Sequence, residues 1–568
     1  MRILISSALA FCFIQAAACQ NKPPGSDVPI TDHLTYYQQY QEAQRFYEAR
    51  DFARAVTLYE RLTSINPRDG ENWLRLADSR YYARQYLPAI EAYQKANELG
   101  FGFLQNNYYR IAACYALLED KDNAILWLEK ALDEQRFEHR PNLLEDEDFK
   151  TLRSDSRFRQ LAGLLPERKF SREEGWRYDL DFLMSEVKRL NAVYSARPLP
   201  AGIQQAAENL RARIPNLSDA QIYVEMQRLL AMLGHGHNGF WPWIPSERVR
   251  LTQLPLTLYF FPEGLYVIDA ENNYKHLTGS RVLRFGRAKT DEVVQAIRTV
   301  VDRENEMEVL WRGPEYMTMP QVLQALGMID SPDKVSLTLE NRAGQTMTAE
   351  ITPTAVTRRR KLFPSKLEDA PAPPLYLSNV EDFYWFKHLP EDKTLYLQFN
   401  QVADKRDESL SLFALRLRRF LNETEVDNLI VDLRHNNGGN SYLYPELLKT
   451  IIAFDAREGK KLYVLIGRNT YSAAQNFVVD LERMTNAVFI GEPSGGKPNT
   501  HGDESHVILP YSGLHAGLSA VYWQISSPRD TRVWIAPEIP VEISAKDYFA
   551  NRDPAMETLT TIIQKNRK

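Results

Sequence analysis

The sequence predicts a multidomain α+β protein: an N-terminal α-helical solenoid, then a helical segment, a β-rich region and an α/β core toward the C-terminus. Three observations carry this. Small residues recur with a period near 34 between residues 35 and 135. Between residues 250 and 355, short apolar segments such as LPLTLYFF, GLYVIDA and KVSLTLENRAGQTMTAEIT alternate with turn residues. Further on, apolar β-branched runs end in glycine-rich loops, as buried strands do, and one is followed from Ser472 by a stretch of helical spacing.

A chain of 568 residues holds about three or four domains at ~100–200 residues each. Its 44% hydrophobic and 25% charged residues are ordinary for a soluble globular protein. The formal net charge of -5 gives no global attraction to nucleic acid or to an anionic membrane, so neither is expected as a direct partner. The basic run Arg358–Lys361 reads as a solvated linker. Three cysteines, Cys12, Cys19 and Cys114, exclude a disulfide scaffold and any Cys-rich zinc site.

Residues 1–19 have the layout of a secretory signal peptide: Arg2, an apolar run from Ile3 to Ile14, then Ala16-Ala17-Ala18. Cys19 directly after these alanines resembles the lipidation site of a bacterial lipoprotein, with Ala16 where leucine is usual. Cleavage after Ala18 without lipidation is the alternative. Either way the expected location is the bacterial cell envelope: periplasmic, membrane-anchored through the lipid, or secreted. Residues 20–34 are Pro-rich and polar and fit a tether. No later segment is a transmembrane candidate.

In residues 35–135, Ala55, Ala89 and Ala124 are spaced by 34 and 35 positions. Each is followed four residues on by Tyr59, Tyr93 or Leu128, and Ala43, Ala77 and Ala112 hold the matching place one helix earlier. This pattern resembles the tetratricopeptide repeat, in which small residues allow close helix approach and large ones plug the groove between hairpins. The resemblance implies a protein or peptide partner on the concave face; a structural spacer is the plainer alternative. Residues 136–169 read as capping helices and a linker.

Three later segments carry chemistry. Leu429–Leu433 is a buried-strand run ending in Arg434-His435-Asn436-Asn437-Gly438-Gly439, and two glycines there can turn tightly and point amides into a cleft. Leu462–Ile466 is a second such strand, after which Ser472 opens a run of helical spacing. A serine at a strand–helix junction is either a nucleophile presented near free helix N–H groups or simply a helix cap. Val488–Gly491 leads into a glycine-rich loop carrying Lys497, with neither a Walker pattern nor a lipase-type elbow.

In this order, the segments resemble the C-terminal processing (tail-specific) serine peptidases and their tricorn-like branch. The resemblance rests on Asp432, Arg434, Asn436, Gly438 and Gly439; on Tyr471-Ser472-Ala473-Ala474; on Gly491-Glu492-Pro493-Ser494-Gly495-Gly496; and on Trp534-Ile535-Ala536-Pro537-Glu538-Ile539-Pro540-Val541. It implies a ClpP/crotonase-like peptidase core over residues 375–568, a degenerate PDZ-like insertion over 250–355, and a helical N-terminal part over 170–245. It also implies Ser472 as nucleophile of an acyl-enzyme, with the amides of Gly439 and Ala473 holding the oxyanion.

Serine needs a neighbouring base. Gly236-His237-Asn238 matches the base motif of the tricorn-like branch in part, with Gly234-His235 where an acid is expected. Lys497, 25 residues after Ser472, aligns with the lysine of the processing branch. Imidazole titrates near neutrality whereas a lysine must be buried to serve, and Pro498 after Lys497 favours His237. Asp530 is a candidate to orient the base or to bind a substrate amine. A His235/His237 metal site would need His501 or His506 as a further ligand; no metal or organic cofactor is expected. The expected activity is that of a serine endopeptidase on protein or peptide substrates. A non-catalytic binding lipoprotein that keeps the fold is the alternative.

Overall fold

The computed structural model describes residues 33–133, 143–164, 169–356 and 371–566. The signal segment with Cys19, the tether up to residue 32, part of the 136–169 linker and the run Arg358–Lys361 lie outside the described residues. The chain divides into two compact units, one up to Leu161 and one from Ala162 onward.

In the first unit, the helices His33–Glu48, Phe52–Ile65, Gly70–Tyr82, Tyr86–Glu98, Leu104–Leu117 and Lys121–Asp133 each pack on the next. Ala43, Ala55, Ala77, Ala89, Ala112 and Ala124 are fully buried at these contacts, where a larger side chain would force the helices apart. Asp51 and Asp69 start two of the helices by accepting the backbone N–H of Arg54 and Asn72. A 3₁₀ turn, Glu147–Leu152, and a short helix, Ser156–Leu161, close the unit over the buried Phe149 and Phe158.

The second unit opens with three helices, Arg172–Leu190, Ala201–Arg213 and Asp219–Ala231. Capping boxes set two of their starts, Ser171 with Glu174 and Ser218 with Gln221. A short strand β1 (Gly239–Phe240) follows, then β2 (Thr252–Gln253), β3 (Leu256–Phe261), β4 (Gly264–Ala270), β5 (Arg281–Phe285), β6 (Ala288–Lys289), β7 (Val335–Glu340), β8 (Thr346–Ile351) and β9 (Thr354–Ala355). Strands β3-β4-β5-β7-β8 form an antiparallel sheet in that order, β6 pairs β5, and β2 pairs β9. The expectation of a β-rich region omits three helices between β6 and β7: Thr290–Ile297, Glu306–Met317 and Pro320–Ala325. Asn305 caps the longest by accepting the Met307 N–H, and Val309, Gly313, Tyr316 and Met317 give it a buried stripe at helical spacing.

The core sheet runs β10 (Tyr384–Leu389), β11 (Thr394–Phe399), β12 (Asn428–Asp432), β13 (Lys461–Ile466), β14 (Val488–Gly491) and, after the hairpin β15 (Asn499–Ile508) and β16 (His515–Gln524), β17 (Ile539–Pro540). Its order is β10-β11-β12-β13-β14-β17, parallel except for the β10–β11 pair. All five residues of β12 are buried because helices cover both faces. Leu429 and Val431 pack with Phe413, Leu447 and Phe477 of the helices Leu410–Glu423, Pro445–Asp455 and Ala473–Met484. Ile430 packs with Leu559 and Ile563 of the helix Pro554–Asn566. The hairpin β15–β16 pairs through β16 with β1, which ties the segment just after His237 to the C-terminal part of the chain. The loops leaving β12 and β13 meet at the carboxyl ends of the parallel strands, where open α/β sheets place their sites.

Candidate active site

Strand β12 ends in a braced turn. The Asp432 carboxylate accepts from Tyr396 Oη at 2.6 Å and from Arg434 Nη2 at 2.6 Å, and Arg434 reaches on to Asp553 at 2.8 Å. Asn436 then holds the turn: its Nδ2 donates to the Phe399 carbonyl at 2.9 Å, and its Oδ1 accepts the Gly438 N–H at 3.0 Å. Gly438 has φ +108°, and a Cβ there would lie 2.6 Å from Ser472 Cβ. Only glycine lets the two loops come this close.

The second loop is stitched to the first. Thr470 Oγ1 donates to the Leu433 carbonyl at 3.0 Å, and the Tyr471 N–H donates to the Asn436 carbonyl at 3.2 Å. Ser472 precedes the helix Ala473–Met484 with φ 54° and ψ −126°, and its side chain makes no capping bond. A non-glycine residue at positive φ is held there against local strain, a feature concentrated at functional sites. The serine is thus at the cap position without acting as a cap.

Its hydroxyl meets a histidine instead. His237 Nε2 lies 3.1 Å from Ser472 Oγ, across 235 positions of sequence. His237 itself has φ 61°, at the tip of the loop that follows the helix Asp219–Ala231. Its Nδ1 lies 2.9 Å from Tyr471 Oη, and the two rings stack at 4.7 Å with 16° between their planes. Gly236 makes room for this, since a Cβ there would lie 1.9 Å from Tyr471 Oη.

Behind Tyr471 lies a buried charge cluster. Arg312 Nη1 binds Asp302 Oδ2 at 2.7 Å and Glu308 Oε2 at 3.5 Å. Glu308 Oε2 lies 3.3 Å from the Gly236 Cβ position, the spot that Tyr471 Oη crowds. Burial pushes the Glu308 carboxyl well above its usual range, against the pull of Arg312. Burial likewise pushes the Tyr471 phenol up, and Glu308 and Glu304 add to it, so the phenol stays protonated. Glu304 ties the next loop down, accepting from the Lys497 N–H at 3.0 Å, Thr500 Oγ1 at 2.7 Å and the His501 N–H at 3.1 Å.

Two amides in these loops stay out of the bonds that hold them together. Gly438 spends its N–H on Asn436, and the bridge between this turn and Val402 uses the Gly438 carbonyl and the Asn440 N–H, which leaves the Gly439 N–H out of both bonds. Ala473 is the first residue of its helix, so its N–H has no intrahelical acceptor. The arrangement therefore presents a hydroxyl, a proton acceptor within hydrogen-bond reach, and amide donors beside it, which are the parts acyl transfer requires.

No family model matches the chain, and no curated protein matches it. Solved structures do. Mature CPAF complexed with lactacystin gives a TM-score of 0.50 at 14% identity, over 69% of this chain and 98% of that one. A serine-to-alanine mutant of CPAF gives 0.51 at 13% identity, over 69% and 96%. The photosystem II D1 C-terminal processing protease gives 0.33 at 14% identity, over 66% and 98%. Over that 69% of its length the chain shares the fold of CPAF.

On that fold the remaining sequence-predicted residues fall in different places. Lys497 lies in the loop held by Glu304, and among the described residues no hydrogen bond joins its ammonium to Ser472. Asp530 accepts from Ser526 Oγ at 2.7 Å and Arg532 Nη2 at 2.8 Å; it is these partners, not His237, that occupy its carboxylate and hold it well below the usual range. His235 fills the place expected of an acid. Its Nδ1 lies 2.9 Å from the Leu233 carbonyl and its Nε2 3.0 Å from Asn191 Nδ2, and burial pushes it down to about 3, so it stays neutral. His506 Nε2 pairs with His515 Nδ1 at 2.8 Å. Among the described residues no three His, Cys, Asp or Glu side chains are grouped to hold a metal.

Sequence reasoning missed the role open to Tyr471 and the cluster Asp302, Glu304, Glu308 and Arg312. The stretch DRENEMEVLWR is highly charged, and its local pattern does not separate a buried Glu308–Arg312 pair from an ordinary surface pair four residues apart. The available signal was Val309, Tyr316 and Met317, which put Glu308 and Arg312 on a helix that is buried on one side.

Proposed function

We propose that the chain is a serine endopeptidase in which Ser472 is the nucleophile and His237 its base. The observation that carries this is the 3.1 Å approach of His237 Nε2 to the hydroxyl of a serine held at positive φ. Ser472 Oγ attacks a peptide carbonyl while its proton passes to Nε2. The resulting oxyanion is held by the Gly439 and Ala473 amides. Nε2 then hands the proton to the leaving amine, and water, deprotonated by the same nitrogen, hydrolyses the acyl-enzyme.

For Nε2 to accept a proton, the hydrogen of neutral His237 must sit on Nδ1 and be donated to Tyr471 Oη. Tyr471 must then turn its own hydrogen away from the ring, toward the side on which Glu308 lies. Tyr471 thus fills the orienting role that a carboxylate plays in a Ser-His-Asp site, and Asp530 is left to its pairing with Arg532. On the same reading, the helical array of the first unit recruits a protein partner or substrate, and Cys19 carries a lipid that holds the enzyme in the cell envelope.

A fluorophosphonate probe tests the assignment. The intact protein is expected to label at Ser472, and Ser472→Ala to lose the label. An unlabelled intact protein, or equal labelling of Ser472→Ala, overturns the proposal.

A further inference from the structure

We infer that the cavity beside His237 is a subsite for a cationic side chain, lysine or arginine, of the peptide that crosses Ser472. The inference rests on the peptidase reading above and extends it to the class of substrate.

The segment that follows His237 lines a cavity of about 290 Å³. That is at the lower end of the range for ligand sites, ~300 Å³, and suits one long side chain rather than a cofactor. Its walls are aromatic: Phe240, Trp241, Trp243 and Tyr316. The rings of Trp241 and Trp243 lie 6.4 Å apart with only 10° between them. Aromatic faces attract a cation, and the aliphatic stem of lysine or arginine packs on apolar walls while its head seeks carboxylates.

The charges lining the cavity have the matching sign. Asp302, Glu315 and Glu504 face a single guanidinium, Arg312. Arg312 is already compensated by Asp302 at 2.7 Å, so it does not make the cavity positive. Asp302 is fully buried, and its Oδ2 accepts from the Asn238 N–H at 3.1 Å and from Arg312 at 2.7 Å. Its other oxygen, Oδ1, has no hydrogen-bond partner among the described residues. A buried carboxylate oxygen without a donor is costly, and an ammonium or guanidinium in the cavity would relieve it.

The position fits a side chain close to the scissile bond. The Cβ position of Gly502 lies 3.8 Å from His237 Cε1. Glu504 is two residues further along β15, a step of ~7 Å, which is the reach of one or two substrate residues.

Binding to Ser472→Ala tests the subsite without turnover. The probes are acetylated, amidated, fluorescein-labelled octapeptide pools with one position held as lysine, arginine, norleucine or glutamate. Lysine and arginine pools are expected to bind about tenfold more tightly than norleucine pools. Glu504→Gln in the same background, a change at an exposed residue, should shrink that ratio at least about threefold. Equal binding of norleucine pools, tighter binding of glutamate pools, or a ratio that neither Glu504→Gln nor Glu315→Gln changes overturns the inference. Fluorophosphonate labelling of the intact protein reads the peptidase assignment separately. Labelling without a lysine preference sinks the subsite alone. A lysine preference without labelling upholds the subsite and sinks the hydrolytic reading alone.

Discussion

Replacing Tyr471 by phenylalanine removes one oxygen from the site and little else. The ring is 5% exposed and stacks on His237 at 4.7 Å, and phenylalanine keeps both the burial and the stack. What is lost is the partner of Nδ1, 2.9 Å away. Without it the imidazole no longer has a reason to carry its hydrogen on Nδ1, and the imidazolium formed during attack loses an acceptor in a partly buried setting. A hydrogen bond to a charged group contributes about 1.5–3 kcal/mol. At 1.36 kcal/mol per decade this is a ~10- to 150-fold slower acylation. The assay is the second-order rate of fluorophosphonate labelling across pH, with thermal unfolding to show that the fold is kept. Tyr471→Phe should label at Ser472 slowly, between wild type and Ser472→Ala, with an altered pH profile. A rate within about twofold of wild type at every pH would refute the orienting role.

Three further outcomes follow from the same geometry. His237→Ala should slow labelling by ~100- to 10,000-fold, the usual contribution of a general base, whereas Lys497→Ala should stay within about tenfold of wild type; the reverse order would transfer the base to Lys497. Gly438→Ala would put a Cβ 2.6 Å from that of Ser472, so labelling should fall at least about 100-fold through displacement of the turn, and unchanged labelling would show that the two loops do not need this contact. His235 sits at about 3 in the folded chain, below its unfolded value of ~6.5, so its contribution to stability is present above pH ~6.5 and is lost as pH falls through that value toward 3. Between pH 7 and pH 5 this amounts to about 2 kcal/mol, and denaturant unfolding of His235→Asn should show a loss smaller by that amount; equal losses in the two proteins would count against it.

Much of the core was legible because its strands are covered on both faces. The runs Leu429–Leu433 and Leu462–Ile466 appear as β12 and β13, and Ser472 sits at the junction its spacing indicated. Local pattern was enough there because burial and periodicity act over a few residues. The helix Glu306–Met317 was hidden for the opposite reason. Its charged residues look solvated until the fold brings His237 and Tyr471 against them, and those two residues are themselves 234 positions apart. The partner of His237 Nδ1 was equally out of reach. Tyr471 was visible only as the neighbour of Ser472, and nothing in its surroundings says that its ring lies flat on a histidine from another part of the chain. Asp530 was misleading because an acid near the closing motif invites a catalytic role, while Arg532, two residues on, already engages it.

The bond between Arg434 and Asp553 joins residues 119 positions apart, and its consequence is one of timing. As the chain is made from its N-terminus, the turn that carries Gly438 and Gly439 emerges with Arg434 held by Asp432 alone. The second carboxylate arrives only with the start of the last described helix, Pro554–Asn566. Until then the guanidinium has only one of its two carboxylate partners. The turn beside Ser472 therefore gains its full bracing only after residue 553 has been made, later than Ser472 itself.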